Sequence, residues 1–316
     1  MTRYVLQRLV AAAGVIVLVM VLLSVAVHLI PGDPVRIILG GRATPELSAQ
    51  VRKQMHLDEP LLNQVAGYVW RALHGNLGTD FLTQRPVREL IGAALPHTIV
   101  LGLASMLFAV ALGIPLGVSS AIRAGGIGDR VLRLLSIATI TAPSYVVGLL
   151  LLLLVTVRLQ LLPGTGNGET GHPLDYLEHL ILPAVALGLA WVGYLARLVR
   201  ASMLEVLGAD YVRTARAYGL RGRTVVWQYA LRNALIPTIA VLGVGTGSLL
   251  AGAVFIENIF ARVGIGSQLV NAIEQRNYPL VQGCILVTAL LFVGANLVAD
   301  VSYRALDPRI RTGGSR

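Results

Sequence analysis

The sequence predicts an all-α membrane protein with six transmembrane helices and both termini on the cytoplasmic side, on three observations. First, apolar residues make up 55% of the 316 and charged residues 13%, roughly half the charge of a soluble domain, and the mean hydropathy is +0.72. Second, six mostly apolar stretches fall at 9–30, 97–121, 134–157, 179–197, 234–256 and 280–303, each close to the ~20 residues a helix needs to cross a bilayer. Third, with the N-terminus inside, the cytoplasmic segments 1–8, 122–133, 197–233 and 300–316 hold 16 basic and 5 acidic residues, against 10 and 11 on the other side. That is the asymmetry the positive-inside rule requires.

In chain order, Arg3 and Arg8 precede a 22-residue apolar run from Leu9 to Ile30. The run is longer than a signal-peptide core and no small-residue cleavage site closes it, so it reads as a retained first helix. The outer loop 31–96 is too long to be structureless. Thr44-Pro45-Glu46 reads as a helix start, a second helix is expected from Pro60 to His74 with a stop at Gly75-Asn76, and a third from Pro86 into the second span. These helices would form a cap over the outer membrane surface. Pro143-Ser144 in the third span predicts a kink near a pathway or a packing feature. The fourth span is short and carries Pro183 and several glycines, which membrane helices tolerate. The expected organisation is one transmembrane domain over 1–316: first helix 1–30, outer loop 31–96, a five-helix core 97–303 containing an inner loop 198–233, and a tail 304–316.

Composition also narrows the function. The net charge of +10 belongs to loops held inside the membrane rather than to a nucleic-acid surface. Cys284 is the single cysteine, so no intrachain disulfide or cysteine metal site can form. The six histidines have no pairing at three or four residues, so no metal site is expected. The only lysine, Lys53, sits in Val51-Arg52-Lys53-Gln54, which cannot make a phosphate-cradling glycine loop. Neither G-x-S-x-G nor H-E-x-x-H occurs, and no catalytic residue is expected. The spans are nearly free of charge, unlike those of ion-coupled carriers; Asp300 lies near the inner end of the sixth and reads as an edge or salt-bridge position.

The inner loop after the fourth span is the most informative segment. Leu204, Leu207, Tyr211, Ala215 and Tyr218 recur at helical spacing, giving an apolar stripe from which Arg213 and Arg216 fall away. Ala215 and Gly219 lie four apart, where small side chains admit another backbone, and Gly219 is a helix stop. The residues alone leave two readings, an interfacial helix whose arginines hold the loop inside or a docking helix.

Asp210-Tyr211-Val212-Arg213-Thr214-Ala215-Arg216-Ala217-Tyr218-Gly219 resembles the EAA loop of ABC importer permeases. Arg213 stands where that pattern has its name-giving Glu and Thr214 where it has the first Ala, a form similar to the peptide and nickel branch. Further similar segments follow in order: Pro31-Gly32-Asp33-Pro34, Gly75-Asn76-Leu77-Gly78, Pro86-Val87, Leu95-Pro96-His97-Thr98, Leu231 to Pro237, Ile256 to Phe260, Gly264-Ile265-Gly266, Arg276-Asn277-Tyr278-Pro279 and Ala305 to Arg309. The resemblance implies a type I importer transmembrane domain in a bacterial inner membrane. It implies as partners a second homologous permease, two ATPases that bind ATP and Mg, and an extracytoplasmic binding protein. It assigns ATPase coupling to Asp210, Tyr211, Arg213, Thr214, Ala215, Arg216, Ala217 and Gly219, and leaves the cargo among dipeptides, oligopeptides, nickel, glutathione and haem.

In the fifth span, Gly243, Gly245, Gly247 and Ser248 would expose backbone carbonyls along a pathway or let helices approach closely.

Overall fold

The computed structural model describes residues 2–29, 44–54, 60–169 and 171–306. Pro31-Gly32-Asp33-Pro34 and the tail from Asp307 lie outside them. Among the described residues the regular elements are all helices, joined by turns and irregular stretches, with a single isolated bridge between Thr79 and Pro86. They form two compact units, one of residues 1–98 with 263–293 and the other of 99–262 with 294–316.

The first unit contains α1 (Thr2–Leu29), α2 (Pro45–Gln54), α3 (Leu61–Leu73), the first turns of α4 (Val87–Ile122), α12 (Ile265–Glu274) and the first half of α13 (Tyr278–Leu306). The helix expected over 60–74 ends where Gly75 turns at φ +75°, a conformation glycine adopts without steric cost. The helix expected to feed the second span does so without a break, giving 36 residues from Val87. Val87, Ile91, Ala94, Ile265, Ala272, Leu280 and Cys284 form its core, and Met20, Tyr68 and Leu286 a smaller one. At 28 residues, α1 is about 42 Å long at 1.5 Å per residue.

The second unit is built around α7 (Pro173–Leu207). The shortest expected span is here a 35-residue helix that runs through Pro183, and 61% of its apolar window is buried, against 33% or less for the three other long apolar helices. Leu180, Leu182, Ala186 and Leu187 pack with Leu101, Leu249, Ala253, Ile256 and Phe260 as the main core. The fifth span is α11 (Ile236–Ile259), which runs three residues beyond the expected end and takes in Glu257.

The third span takes the kink that is one of the two readings of Pro143-Ser144, as a full break in the helix. It is not one rod but α5 (Ile127–Thr141) and α6 (Ser144–Leu151), bent by 100° and continuing as a π-helix over Leu152–Arg158. Proline carries no N–H and its ring pushes the preceding residue out of the helical region; Ala142 sits at φ −72°, ψ 119°. Among the described residues, four helices are long and apolar enough to cross a membrane, or five with the bent pair taken as one. Leu134, Leu135, Ile137, Leu149, Leu150 and Leu153 on the two arms are exposed, a surface suited to lipid or another apolar partner.

Candidate coupling surface

After α7 the chain turns at Gly208-Ala209 and forms α8 (Asp210–Ala217). Asp210 in its first turn and Arg216 in its last suit the helix dipole. Its C-terminus closes as a Schellman motif: the Gly219 N–H donates to the Arg216 carbonyl at 2.9 Å and the Leu220 N–H to that of Ala215 at 3.3 Å. Gly219 takes φ +75° with open space where a Cβ would stand, so backbone conformation and not crowding calls for glycine there.

The face that α8 buries differs from the expected stripe. Val212 and Ala215 are buried against Val225, flanked by Val206 and Leu207, whereas Leu204, Tyr211 and Tyr218 are exposed, Tyr218 to 83%. The stripe assumed one continuous helix through 207–210; the break there resets the helical phase. Ala215 thus packs inside this chain. Asp210, Arg213, Thr214, Arg216, Ala217 and Gly219 stand on the open side. Arg213 pairs with Asp210 at 3.5 Å, an exposed contact that contributes little, and the Thr214 hydroxyl donates to the Asp210 carbonyl at 2.9 Å. The Tyr211 hydroxyl accepts from the Asn233 side-chain amide at 2.8 Å, fastening α8 to α10 (Leu231–Ala234). Between them lie α9 (Gly222–Thr224) and a π-helix over Val225–Ala230.

On α11, Gly243 meets Ala299 of α13 so closely that any Cβ would collide with that of Ala299. A Cβ at Gly245 would lie 2.6 Å from the Trp191 ring. Gly247 is buried, and Ser248 is exposed with its hydroxyl donating to the Gly245 carbonyl at 3.0 Å. Helix packing therefore accounts for Gly243 and Gly245. Four glycines not singled out from the sequence make equally close approaches. Gly113 and Gly117 of α4 face α7 at Leu195, Ala196 and Val199; Gly188 of α7 meets the Ser105 carbonyl; and Gly193 of α7 meets Ser136 and Thr139 of α5. The signal was available, because Gly113-Ile114-Pro115-Leu116-Gly117 has the small-x-x-x-small spacing that lets membrane helices touch.

Three polar networks were also missed. Asp129, 1% exposed, receives both arms of the Arg200 fork at 2.7 and 2.9 Å. The Ser120 hydroxyl donates to it at 2.6 Å and the Gly125 N–H at 2.9 Å. Arg262, also 1% exposed, donates through Nη1 to the His179 carbonyl at 2.8 Å and the Gly166 carbonyl at 3.3 Å, and lies 5.6 Å from the centre of the Tyr176 ring. In the first unit the Asp80 carboxylate accepts from the N–H groups of Leu82 at 3.1 Å and Thr83 at 3.2 Å, from the Thr83 hydroxyl and from the Asn277 amide. Burial pushes the Asp80 carboxyl up, but these hydrogen bonds outweigh it and hold the group below the usual carboxylate range.

Residues 113–312 match the family described as binding-protein-dependent transport system inner membrane component, and residues 1–102 match its N-terminal region. The chain belongs to that family. It is a permease subunit of the ABC importer class, located in the bacterial inner membrane, and the permease is not itself the catalytic component. The dipeptide transport system permease protein DppB of Escherichia coli (strain K12) is 38% identical, covering 98% of this permease and 99% of the relative. The probable D,D-dipeptide transport system permease protein DdpB of the same strain is 41% identical over 91% of each chain. The glutathione transport system permease protein GsiC of Salmonella choleraesuis (strain SC-B67) is 39% identical over 98% and 99%. A solved inward-facing MetNI methionine ABC transporter shares the fold: 15% identity, TM-score 0.56, covering 69% of this permease and 96% of that chain. A permease of this class works with ATPase and binding-protein partners.

Proposed function

We propose that this permease forms half of the translocation pathway for di- and oligopeptides, and that α8 is the helix through which an ATPase subunit drives it. The observation that carries the coupling role is the two-sidedness of α8. One face is sealed by Val212 and Ala215 onto the inner end of α7, while Arg213, Arg216, Ala217 and Tyr218 face outward. A helix fixed to the most enclosed of the long helices and open on its other side is suited to pass on a push.

In this reading the chain crosses the bilayer six times with both termini inside and pairs with a second homologous permease. Two separate ATPases bind ATP and Mg and hydrolyse the nucleotide, and an extracytoplasmic protein delivers cargo; the permease needs no cofactor. The peptide reading rests on the dipeptide and glutathione relatives, whose near-equal identities keep glutathione as a second cargo. Nickel and haem are the remaining cargoes of this branch. Of Gly243, Gly245, Gly247 and Ser248 on α11, Ser248 alone is exposed and is the candidate for facing the pathway.

The test of coupling is Ala217→Asp, at an exposed helical position where the fold tolerates it. In the reconstituted importer it is expected to abolish peptide uptake and binding-protein-stimulated ATP hydrolysis at normal membrane levels. Uptake at the wild-type rate would refute docking through α8. Competition of labelled dipeptide uptake by tripeptides, glutathione and nickel then assigns the cargo.

A further inference from the structure

We propose that Asp129 and Arg200 are a positioning pair that joins the inner ends of α4, α5 and α7 into one moving body, an inference that builds on the coupling role of α8. Four separate pieces of chain converge on this one carboxylate. Ser120 lies in the last turn of α4, Gly125 in the α4–α5 turn at φ +83°, Asp129 itself in the first turn of α5, and Arg200 two turns before the end of α7. Arg133 adds a longer contact at 3.7 Å. Both carboxylate oxygens are fully engaged, and the fork–carboxylate pair is the most directional ion pair that side chains can make. Around it Val118 and Ala121 of α4 pack on Val199 and Met203 of α7 together with Ala230, Leu231 and Ala234.

Below the pair, α7 continues to Val206 and Leu207, the residues against which α8 is sealed. A displacement of α8 therefore reaches Arg200 through less than two turns of rigid helix. The Asp129 clamp divides it among three helices, one of which leads to the 100° bend at Pro143. Apolar contacts alone would let the helices slide; a bidentate ion pair with buried hydroxyl and amide donors has one geometry. Asp129 and Arg200 touch neither nucleotide nor cargo in this scheme and act through α8 and the helices they join.

The experiment uses the complete importer reconstituted with its ATPases and binding protein. Asp129→Asn and Arg200→Gln are expected to lower cargo moved per ATP hydrolysed by about fivefold, the low end of typical coupling between sites, with Arg200→Lys intermediate. Spin labels at R130C and E205C, in a C284S background, report on the body itself. In the otherwise wild-type chain their distance should stay fixed between nucleotide-free and vanadate-trapped states, and in Asp129→Asn it should broaden. A wild-type distance that changes with nucleotide overturns the proposal, as does an assembled Asp129→Asn importer with unchanged transport per ATP. The wild-type distance decides the matter even where the variants fail to assemble. Ala217→Asp separates the two readings: normal coupling in that variant with a fixed wild-type distance would remove α8 as the input while leaving the clamp in place.

Discussion

Gly117→Ala tests the packing of the second unit most directly. In a helix this change ordinarily stabilises by about 0.5–1 kcal/mol, since alanine loses less backbone entropy. Here a Cβ would stand 2.6 Å from the Ala196 carbonyl oxygen and 2.8 Å from the Val199 Cβ. The first is backbone in the interior of α7 and cannot rotate away. To reach an ordinary 3.4 Å contact, α4 and α7 must part by about 0.8 Å, and overpacking of this kind costs about 1–3 kcal/mol. The sum is a net loss of up to about 2.5 kcal/mol, the propensity gain offsetting part of the clash. Gly92→Ala on the same helix is the control, since nothing lies within 4 Å of its Cβ; it should be neutral or stabilising. Unfolding of the purified permease in mixed detergent micelles, followed by far-UV ellipticity against denaturing-detergent fraction, measures both. Because Gly113 shares the interface, Gly113→Ala/Gly117→Ala should lose less than the sum of the single variants. A Gly117→Ala permease as stable as Gly92→Ala would refute the close approach of α4 and α7.

Other outcomes follow from the polar networks and the α8 stop. Gly219→Ala should strain the Schellman turn by about 1 kcal/mol, and Gly219→Asn by less, read as faster proteolysis of the 208–222 loop in inverted vesicles. The Asp80 carboxyl is lower in the folded than in the unfolded chain, so its contribution is complete above the unfolded value of about 3.9 and fades as pH falls through the folded one. The thermal midpoint should therefore drop in acid for the wild type and follow a flatter pH curve in Asp80→Asn. Arg262→Gln would strand the His179 and Gly166 carbonyls, each lost partner costing about 1–3 kcal/mol, with Arg262→Lys less severe; amide exchange over 162–180 should rise accordingly.

Helical class and rough span positions were legible in the sequence because apolar length and charge asymmetry are properties of composition over 20-residue windows. The helices Pro45–Gln54 and Leu61–Leu73 were legible because Thr44-Pro45 and Gly75-Asn76 are local punctuation. Pro143-Ser144 marked a kink or a packing feature; what composition could not supply was the choice between the two or the 100° angle, since membrane helices pass through some prolines, such as Pro183, and break at others. The buried face of α8 was misread because a two-residue interruption at Gly208-Ala209 shifts every later position around the helix axis. Asp129 and Arg200 are 71 residues apart, and no periodicity pairs them; each read singly is only one charge in a segment expected on the cytoplasmic side.

The Asp129–Arg200 contact also constrains insertion. Two residues in direct contact lie at the same depth in the membrane, and α7 is one continuous helix from Arg200 back to Pro173. With α7 crossing the bilayer, as its length allows, Pro173 is at the opposite surface. The chain from Asp129 to Pro173 must then make one net crossing, despite a 100° break that leaves neither arm long enough alone. In the proposed arrangement with both termini inside, the bent pair α5 and α6 counts as that crossing, and a reporter fused near residue 165 should report the external side.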